Sequence, residues 1–391
     1  MVAQPLPFAL SGSRNERRML QLSDPREVSF RGVTSRMRPI QVLVVEDSPV
    51  ERELLVRILS TDLDIQVVGT ARNGAAALAF LQQQKPDVIT MDINMPDMDG
   101  YETTRRIMET CPVPIVIVSV SWDSEETTAT FRALEAGAVA GVAKPRGLGH
   151  SDHEETTQRL IQTVKAMAEV KVVRRWARHR RVQQEPAVSP LAVRPQEEPA
   201  EIKLIAVGSS TGGPLVLQVL LSRLRKDFSL PVVIVQHIVP GFLGGLVEWL
   251  AQTTGRQVRT AAHGEHLHPG RVYFAPDGFH TGVERDGLIA LHKGAPEHGV
   301  RPSVSYLFRS VANTLGKQAV GVLLTGMGRD GAEELRLMKQ NGAVTIAQDK
   351  ESSVVYGMPG EAVKLGGATH VLPPERIAAT LNGFVERLRA H

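Results

Sequence analysis

Residues 40–48 read Ile-Gln-Val-Leu-Val-Val-Glu-Asp-Ser, an apolar run that stops on two acids, and Pro49 follows at once. A short apolar run bounded by turn chemistry reads as a strand. Ser-Pro ahead of the amphipathic stretch 49–60 is a helix start. Working outward, 65–70, 88–91, 115–119 and 139–142 read as four more strands, with a helical pattern at 74–84 among the segments between them. Strands alternating with helices predict a parallel, doubly wound α/β sheet over residues 40–155.

A longer amphipathic helix is expected over 154–182, closing on Lys171, Arg174, Arg175, Arg178, Arg180 and Arg181. That basic run reads as a solvated helix end. Residues 183–200 carry Pro186, Pro190, Pro195 and Pro199 among scattered Glu, the composition of a linker. The division is therefore an extension (1–39), a first domain (40–155), a helix and linker (156–200) and a second domain (201–388). In the second domain 202–207, 232–236, 271–275, 319–325 and 343–347 read as strands with glycine-rich connections. It is expected to be a second doubly wound parallel α/β unit.

A chain of 391 residues exceeds what one ordinary core organises, which agrees with two domains. At 42% hydrophobic and 22% charged the balance is that of a globular protein, and no stretch reaches the ~18 apolar residues of a membrane span. The formal charge of +3 is local: residues 1–40 hold seven Arg against three acids, a net +4, so the remainder stands at −1. No basic field is left for nucleic acid. Residues 1–36 lack an apolar segment, read as neither signal peptide nor anchor, and are expected to be disordered or to follow from a misassigned start codon. The lone Cys111 has no intrachain partner, which fits a cytoplasmic protein.

In the first domain Glu46 and Asp47 end one strand, Asp92 ends another, Ser119 ends a fourth, and Lys144-Pro145 follows the fifth. All these carboxyl ends share one edge of a parallel sheet, where ligands bind. Converging carboxylates repel unless a cation joins them, and an all-oxygen set favours Mg²⁺. A lysine beside them suits a phosphoryl oxygen. Asp92-Ile-Asn-Met-Pro-Asp-Met-Asp-Gly100, Glu46-Asp47-Ser48 and Ala143-Lys144-Pro145 together resemble the response-regulator receiver family. The resemblance implies a flavodoxin-like fold, Asp92 as phosphoacceptor and a histidine kinase of the chemotaxis type as donor. It implies Mg²⁺ held by Glu46, Asp47, Asp92 and the Asn94 carbonyl, with Ser119 and Lys144 in support. Many receivers place a switching aromatic three residues before the lysine. This chain has Gly141 there.

In the second domain the strand 202–207 runs into Gly208-Ser-Ser-Thr-Gly-Gly-Pro214. Gly-x-Ser-x-Gly between strand and helix is the nucleophile-elbow pattern and puts forward Ser210. A serine hydroxyl needs a base, and His237 stands at the end of 232–236, on the same sheet edge. The orienting acid is Asp330, in Gly326-Met-Gly-Arg-Asp-Gly331 after 319–325, with Asp277 after 271–275 as the runner-up. Gly326, Gly328 and Gly331 also spell G-x-G-x-x-G with Asp349 after the next strand, so a dinucleotide-binding oxidoreductase is a competing reading. A non-catalytic scaffold that docks receptors and takes up phosphoryl groups is another.

Gly208-Ser-Ser-Thr-Gly-Gly, Gln236-His237, Arg301-Pro-Ser-Val, Leu324-Thr-Gly-Met-Gly-Arg-Asp-Gly and 348–359 resemble the catalytic domain of chemotaxis-type protein-glutamate methylesterases. A receiver joined to such a domain is that family's architecture. The resemblance implies hydrolysis of glutamate methyl esters and deamidation of glutamines on methyl-accepting chemotaxis receptors. Ser210 is then nucleophile, His237 general base, Asp330 its partner, and the Met327 amide an oxyanion donor. No cofactor is implied in this domain. Arg301 is expected to help position the acidic substrate helix.

Overall fold

The computed structural model describes residues 38–119, 124–147, 149–150, 153–170, 172 and 201–390, apart from the side chains of 124–129 and 387–390. The expectations for 1–36 and for the linker lie outside the described residues. The first strand, β1 (Ile40–Val45), buries Leu43 and Val45 toward one layer of helices and Val42 and Val44 toward the other. That two-sided burial is why the sequence lacks strand alternation there. It is joined by β2 (Ile65–Ala71), β3 (Val88–Met91), β4 (Ile115–Ser119) and β5 (Ala140–Ala143) in the all-parallel order β2-β1-β3-β4-β5. This is the flavodoxin-like winding. The helices are α1 (Pro49–Leu59), α2 (Gly74–Gln83), α3 (Gly100–Thr110), α4 (Ser124–Ala136) and α5 (His153–Met167). Ser48, Asn73 and Asp99 cap α1, α2 and α3 by accepting from the amides of Glu51, Ala76 and Glu102.

The helix read over 154–182 is shorter in the structure. Its apolar stripe ends at Leu160, Val164 and Met167, after which Val170 N bonds back to Met167 O in a tight turn. The basic residues from Lys171 onward, where the helix was expected to continue, lie outside the described residues.

The second sheet opens with β6 (Leu204–Ser209), α6 (Gly213–Arg223), β7 (Val232–Gln236), α7 (Leu243–Thr254), β8 (Val258–Thr260) and β9 (Val272–Phe274). An antiparallel hairpin, β10 (His280–Val283) and β11 (Ile289–His292), leads to α8 (Val304–Thr314). Then come β12 (Ala319–Leu323), α9 (Ala332–Gln340), β13 (Val344–Gln348), α10 (Met358–Lys364), β14 (His370–Leu372) and α11 (Pro374–Ala390). The main sheet is parallel in the order β14-β13-β12-β6-β7-β9-β8. The sequence reading missed β8, β10, β11 and β14, each three or four residues long, too short for a periodicity to register. From β6 the chain winds outward through β7, then returns to β12 on the other flank. The switch point therefore opens at the carboxyl ends of β6, β7 and β12.

The two sheets' helices meet at α4 and α7. The Phe131 ring stacks on Trp249 with centroids 5.1 Å apart. Glu135 accepts from Gln218 Nε2 at 2.9 Å and Trp249 Nε1 at 3.3 Å. Elsewhere Val354 and Val355 pack against the apolar cluster containing Leu160, Val164 and Met167 of α5. A cleft of about 560 Å³ separates α5 residues, Gln158 and Gln162 among them, from Met327.

Candidate functional sites

At the first switch point Lys144, buried at the end of β5, gathers three carboxylates: Glu51 at 2.6 Å, Glu46 at 2.8 Å and Asp92 at 3.1 Å. Burial works against its charge, yet the surrounding acids hold its pKa above the ordinary lysine value. Burial, with Asp92 and Glu51 nearby, pushes Glu46 up to about 7 against the pull of Lys144. Asp92 is raised too, by burial first and then by Asp47 and Glu51. Carboxylate oxygens of Glu46, Asp47 and Asp92 lie within 4.8 Å of one another. A hard divalent cation fits this set: every donor is a carboxylate oxygen, and the three converge on one point at the strand-end edge. Ser119 is buried at the end of β4, and Asn94 is exposed on the loop after Asp92. Glu51 went unread because Ser48-x-x-Glu51 looks like a local capping box. The structure turns its carboxylate to Lys144 instead.

The second switch point collects the three hydrolytic candidates. Ser209 and Gln236 are register partners in β6 and β7, so Ser210 and His237 leave neighbouring strands at one level. Gly212 bends the elbow at φ 79°, and a Cβ there would run into Val354. Ser210 N donates to Thr325 O at 3.0 Å, which ties the elbow to the loop after β12. His237 Nε2 lies 2.8 Å from Asp330 Oδ2. Asp330 is buried and takes up the N-terminus of α8. Val304 N donates to Oδ2 at 2.7 Å, Ser305 N to Oδ1 at 2.9 Å, and the cap residue Ser303 donates its hydroxyl to Oδ1 at 2.8 Å. Burial alone would raise its pKa. His237 and the donors of α8 overcome that and hold the carboxyl well below the ordinary aspartate value.

That arrangement gives Arg301-Pro-Ser-Val a use the sequence reading did not assign: its Ser303, Val304 and the following Ser305 seat Asp330. Arg301 itself is exposed and donates to Gly294 O at 2.6 Å, a bond within its own loop. Asp277, the runner-up acid, accepts from Gly241 N at 2.9 Å. Two of the three glycines of 326–331 are explained by close packing, and Gly328 by its left-handed backbone at φ 85°. A Cβ on Gly326 would strike Met358 and Ser210, and one on Gly331 would strike Val304. Among the described residues the Met327 amide donates to no acceptor, and the residue is 43% exposed. Two buried glutamines, quoted in the sequence only as parts of longer motifs, gain a role here. Gln348 holds the loop after β12 through Thr325 N at 2.8 Å, and Gln236 bridges Ser210 and His237.

Residues 205–381 match the CheB methylesterase family and residues 42–150 the response regulator receiver domain. A Syntrophus aciditrophicus protein-glutamate methylesterase/protein-glutamine glutaminase is 54% identical over 88% of this chain and 97% of its own. A Nitrosospira multiformis protein of the same name is also 54% identical, with the same coverage on both sides. The crystal structure of the Thermotoga maritima CheB methylesterase catalytic domain is 38% identical over 47% of this chain and 98% of that one, with a TM-score of 0.45. No helix among the described residues is long and apolar enough to cross a membrane. With family matches to both of its sheets and a shared identity that runs through nearly the whole length of its relatives, the chain belongs to the CheB methylesterase family and carries a response regulator receiver domain.

Proposed function

We propose that the chain hydrolyses glutamate methyl esters, and deamidates glutamines, on methyl-accepting chemotaxis receptors by a Ser-His-Asp mechanism governed by phosphorylation of Asp92. The observation that carries the catalytic part is the His237–Asp330 bond, with Asp330 seated on the start of α8 one strand from Ser210. Asp330 keeps a proton on His237 Nε2 and leaves Nδ1 as the base. As Ser210 Oγ attacks the ester carbonyl, Nδ1 takes its proton. Backbone donors, the Met327 amide among them, stabilise the oxyanion. The C–O bond breaks, His237 returns the proton to the leaving methoxide, and methanol departs. Water, activated by the same Nδ1, then attacks the acyl-enzyme and frees the glutamate and Ser210. A glutamine side chain would follow the same route and release ammonia.

The test is methanol release from membranes bearing methylated receptor, with a small-molecule phosphodonor present. Release is expected, together with covalent labelling of Ser210 by a fluorophosphonate. A folded, phosphorylated protein that releases no methanol and takes no label would overturn the reading and favour a receptor-binding scaffold.

In the receiver, Glu46, Asp47, Asp92 and the Asn94 carbonyl would hold Mg²⁺, which when bound shields phosphoryl charge. Lys144 pairs with Asp92 and would turn to the phosphoryl oxygens, while Ser119 supplies a hydroxyl at their edge. A chemotaxis-type histidine kinase would be the donor. Asp92→Asn is expected to abolish labelling by radioactive acetyl phosphate; undiminished labelling would move the acceptor elsewhere. The receiver's closeness to Met327 and Val354 supports a regulatory reading, in which the unphosphorylated domain restrains access to the strand-end face.

A further inference from the structure

Gln236 ends β7, immediately before the base, and is only 4% exposed. Its amide orientation is fixed by chemistry. Ser209 Oγ lies 2.6 Å from Oε1 and donates to it, which leaves the NH₂ group two hydrogens to place. One goes to Ser210 O at 2.9 Å and the other to His237 O at 2.7 Å. A single planar amide thus joins the backbone of the proposed nucleophile to that of the proposed base, across two strands. Gly213 is an independent sign that this position is built for the amide. Its backbone is not left-handed, yet a Cβ there would lie 2.1 Å from Gln236 Oε1. The first turn of α6 is cut away to admit the side chain. Gly213 N also donates to Ser210 O at 2.8 Å, so this carbonyl is pinned from two sides.

Resting on the Ser-His-Asp reading, we infer that Gln236 is a positioning residue, a buried amide that sets the spacing of Ser210 and His237. Ser210 Oγ has no hydrogen-bond partner among the described residues, so no side-chain bond of its own holds it against His237. The spacing rests on the backbone, and the amide joins the two backbone positions directly. Proton transfer from Oγ to Nδ1 is sensitive to that spacing, since a misplacement of about 1 Å costs roughly 10²-fold in rate. The requirement is for two donors at one point. A methionine fills the same volume with none, whereas a glutamate keeps the shape and the Ser209 bond but sets a carboxylate against two carbonyls.

The experiment measures kcat and KM for methanol release by the full chain carrying Gln236→Met or Gln236→Glu, beside wild type and Ser210→Ala. Fluorophosphonate titration counts competent sites, so loss of folded protein is separated from loss of rate per site. Gln236→Met is expected to lower kcat per titrated site by about 10²-fold, with KM within about twofold. For Gln236→Glu the ratio of its kcat to that of wild type is expected to rise as pH falls. Burial against two carbonyls raises the carboxyl pKa, and protonation restores one donor. A merely structural side chain would not produce that pH-dependent rescue. If Gln236→Met keeps wild-type kcat per site, or if the Gln236→Glu ratio is flat with pH, the inference falls. If Ser210→Ala retains full activity, the catalytic reading itself falls, and the two failures are distinct.

Discussion

Asp330→Asn is expected to lower kcat by roughly 10⁴-fold, the scale set by loss of the orienting acid in Ser-His-Asp sites. The structure says why so isosteric a change would cost so much. Each carboxylate oxygen accepts two bonds: Oδ1 from Ser303 Oγ and Ser305 N, Oδ2 from His237 Nε2 and Val304 N. An asparagine has one oxygen for these two places. If its NH₂ faces His237, it meets the Val304 N–H donor to donor, and Nε2 must become the acceptor. The ring proton then sits on Nδ1, the atom needed as base. If the amide turns over, His237 keeps its tautomer but the NH₂ meets Ser305 N–H, and no negative charge is left to stabilise the imidazolium. Both orientations lose catalysis, and both leave a donor at the start of α8 unmatched.

The same substitution has a signature in acid. Asp330's folded pKa is depressed, so its contribution to stability is complete above the unfolded value, about 3.9, and is lost as pH falls toward the lower folded value. Wild type should therefore lose stability through that window and the variant lose less, while at neutral pH the variant is the weaker protein. Urea melts at about pH 3 and pH 7, paired with kcat at neutral pH, check both halves. A variant with near-native kcat would remove Asp330 from the mechanism.

Much of this was legible in sequence because parallel sheets write their chemistry at strand ends. Reading Ile40–Val45 as a strand places Glu46 and Asp47, and reading 232–236 as one places His237. Each then needs only a shared edge, which the all-parallel topology supplies. What escaped notice depends on tertiary contact between distant segments. Ser303, Val304 and Ser305 read as a helix cap, and nothing local says that the helix start receives a carboxylate from 26 residues downstream. Glu51 reads as a cap residue and is spent on Lys144, 93 residues away. Gln236 reads as the tail of a strand. The helix expected to 182 stops at Met167, because charge and propensity extend a pattern on paper that packing against β1 and β3–β5 no longer supports.

Phe131→Ala should raise the basal, unphosphorylated rate of methanol release by about tenfold and reduce the further stimulation by phosphodonor. The receiver lacks an aromatic at Gly141, three residues before Lys144; a Cβ there would meet Thr130 of α4 at 3.2 Å, so α4 rides close on β5. The aromatic at the domain boundary is instead Phe131, the next residue of α4, buried and stacked on Trp249 of α7. α7 begins six residues after His237, so the stack bears on the helix that follows the base. Truncating a buried Phe costs ~3–5 kcal/mol, shared between the receiver's own core and the domain contact. If about 1.4 kcal/mol falls on the contact, the population of separated domains rises tenfold. Trp249→Phe keeps an aromatic ring to stack on Phe131 and removes the N–H donated to Glu135 with part of the indole, so its effect should be smaller than that of Phe131→Ala. Initial rates with and without acetyl phosphate, for both variants and wild type, decide the matter. A folded Phe131→Ala protein with an unchanged basal rate would mean that the α4–α7 contact holds the domains together without restraining catalysis.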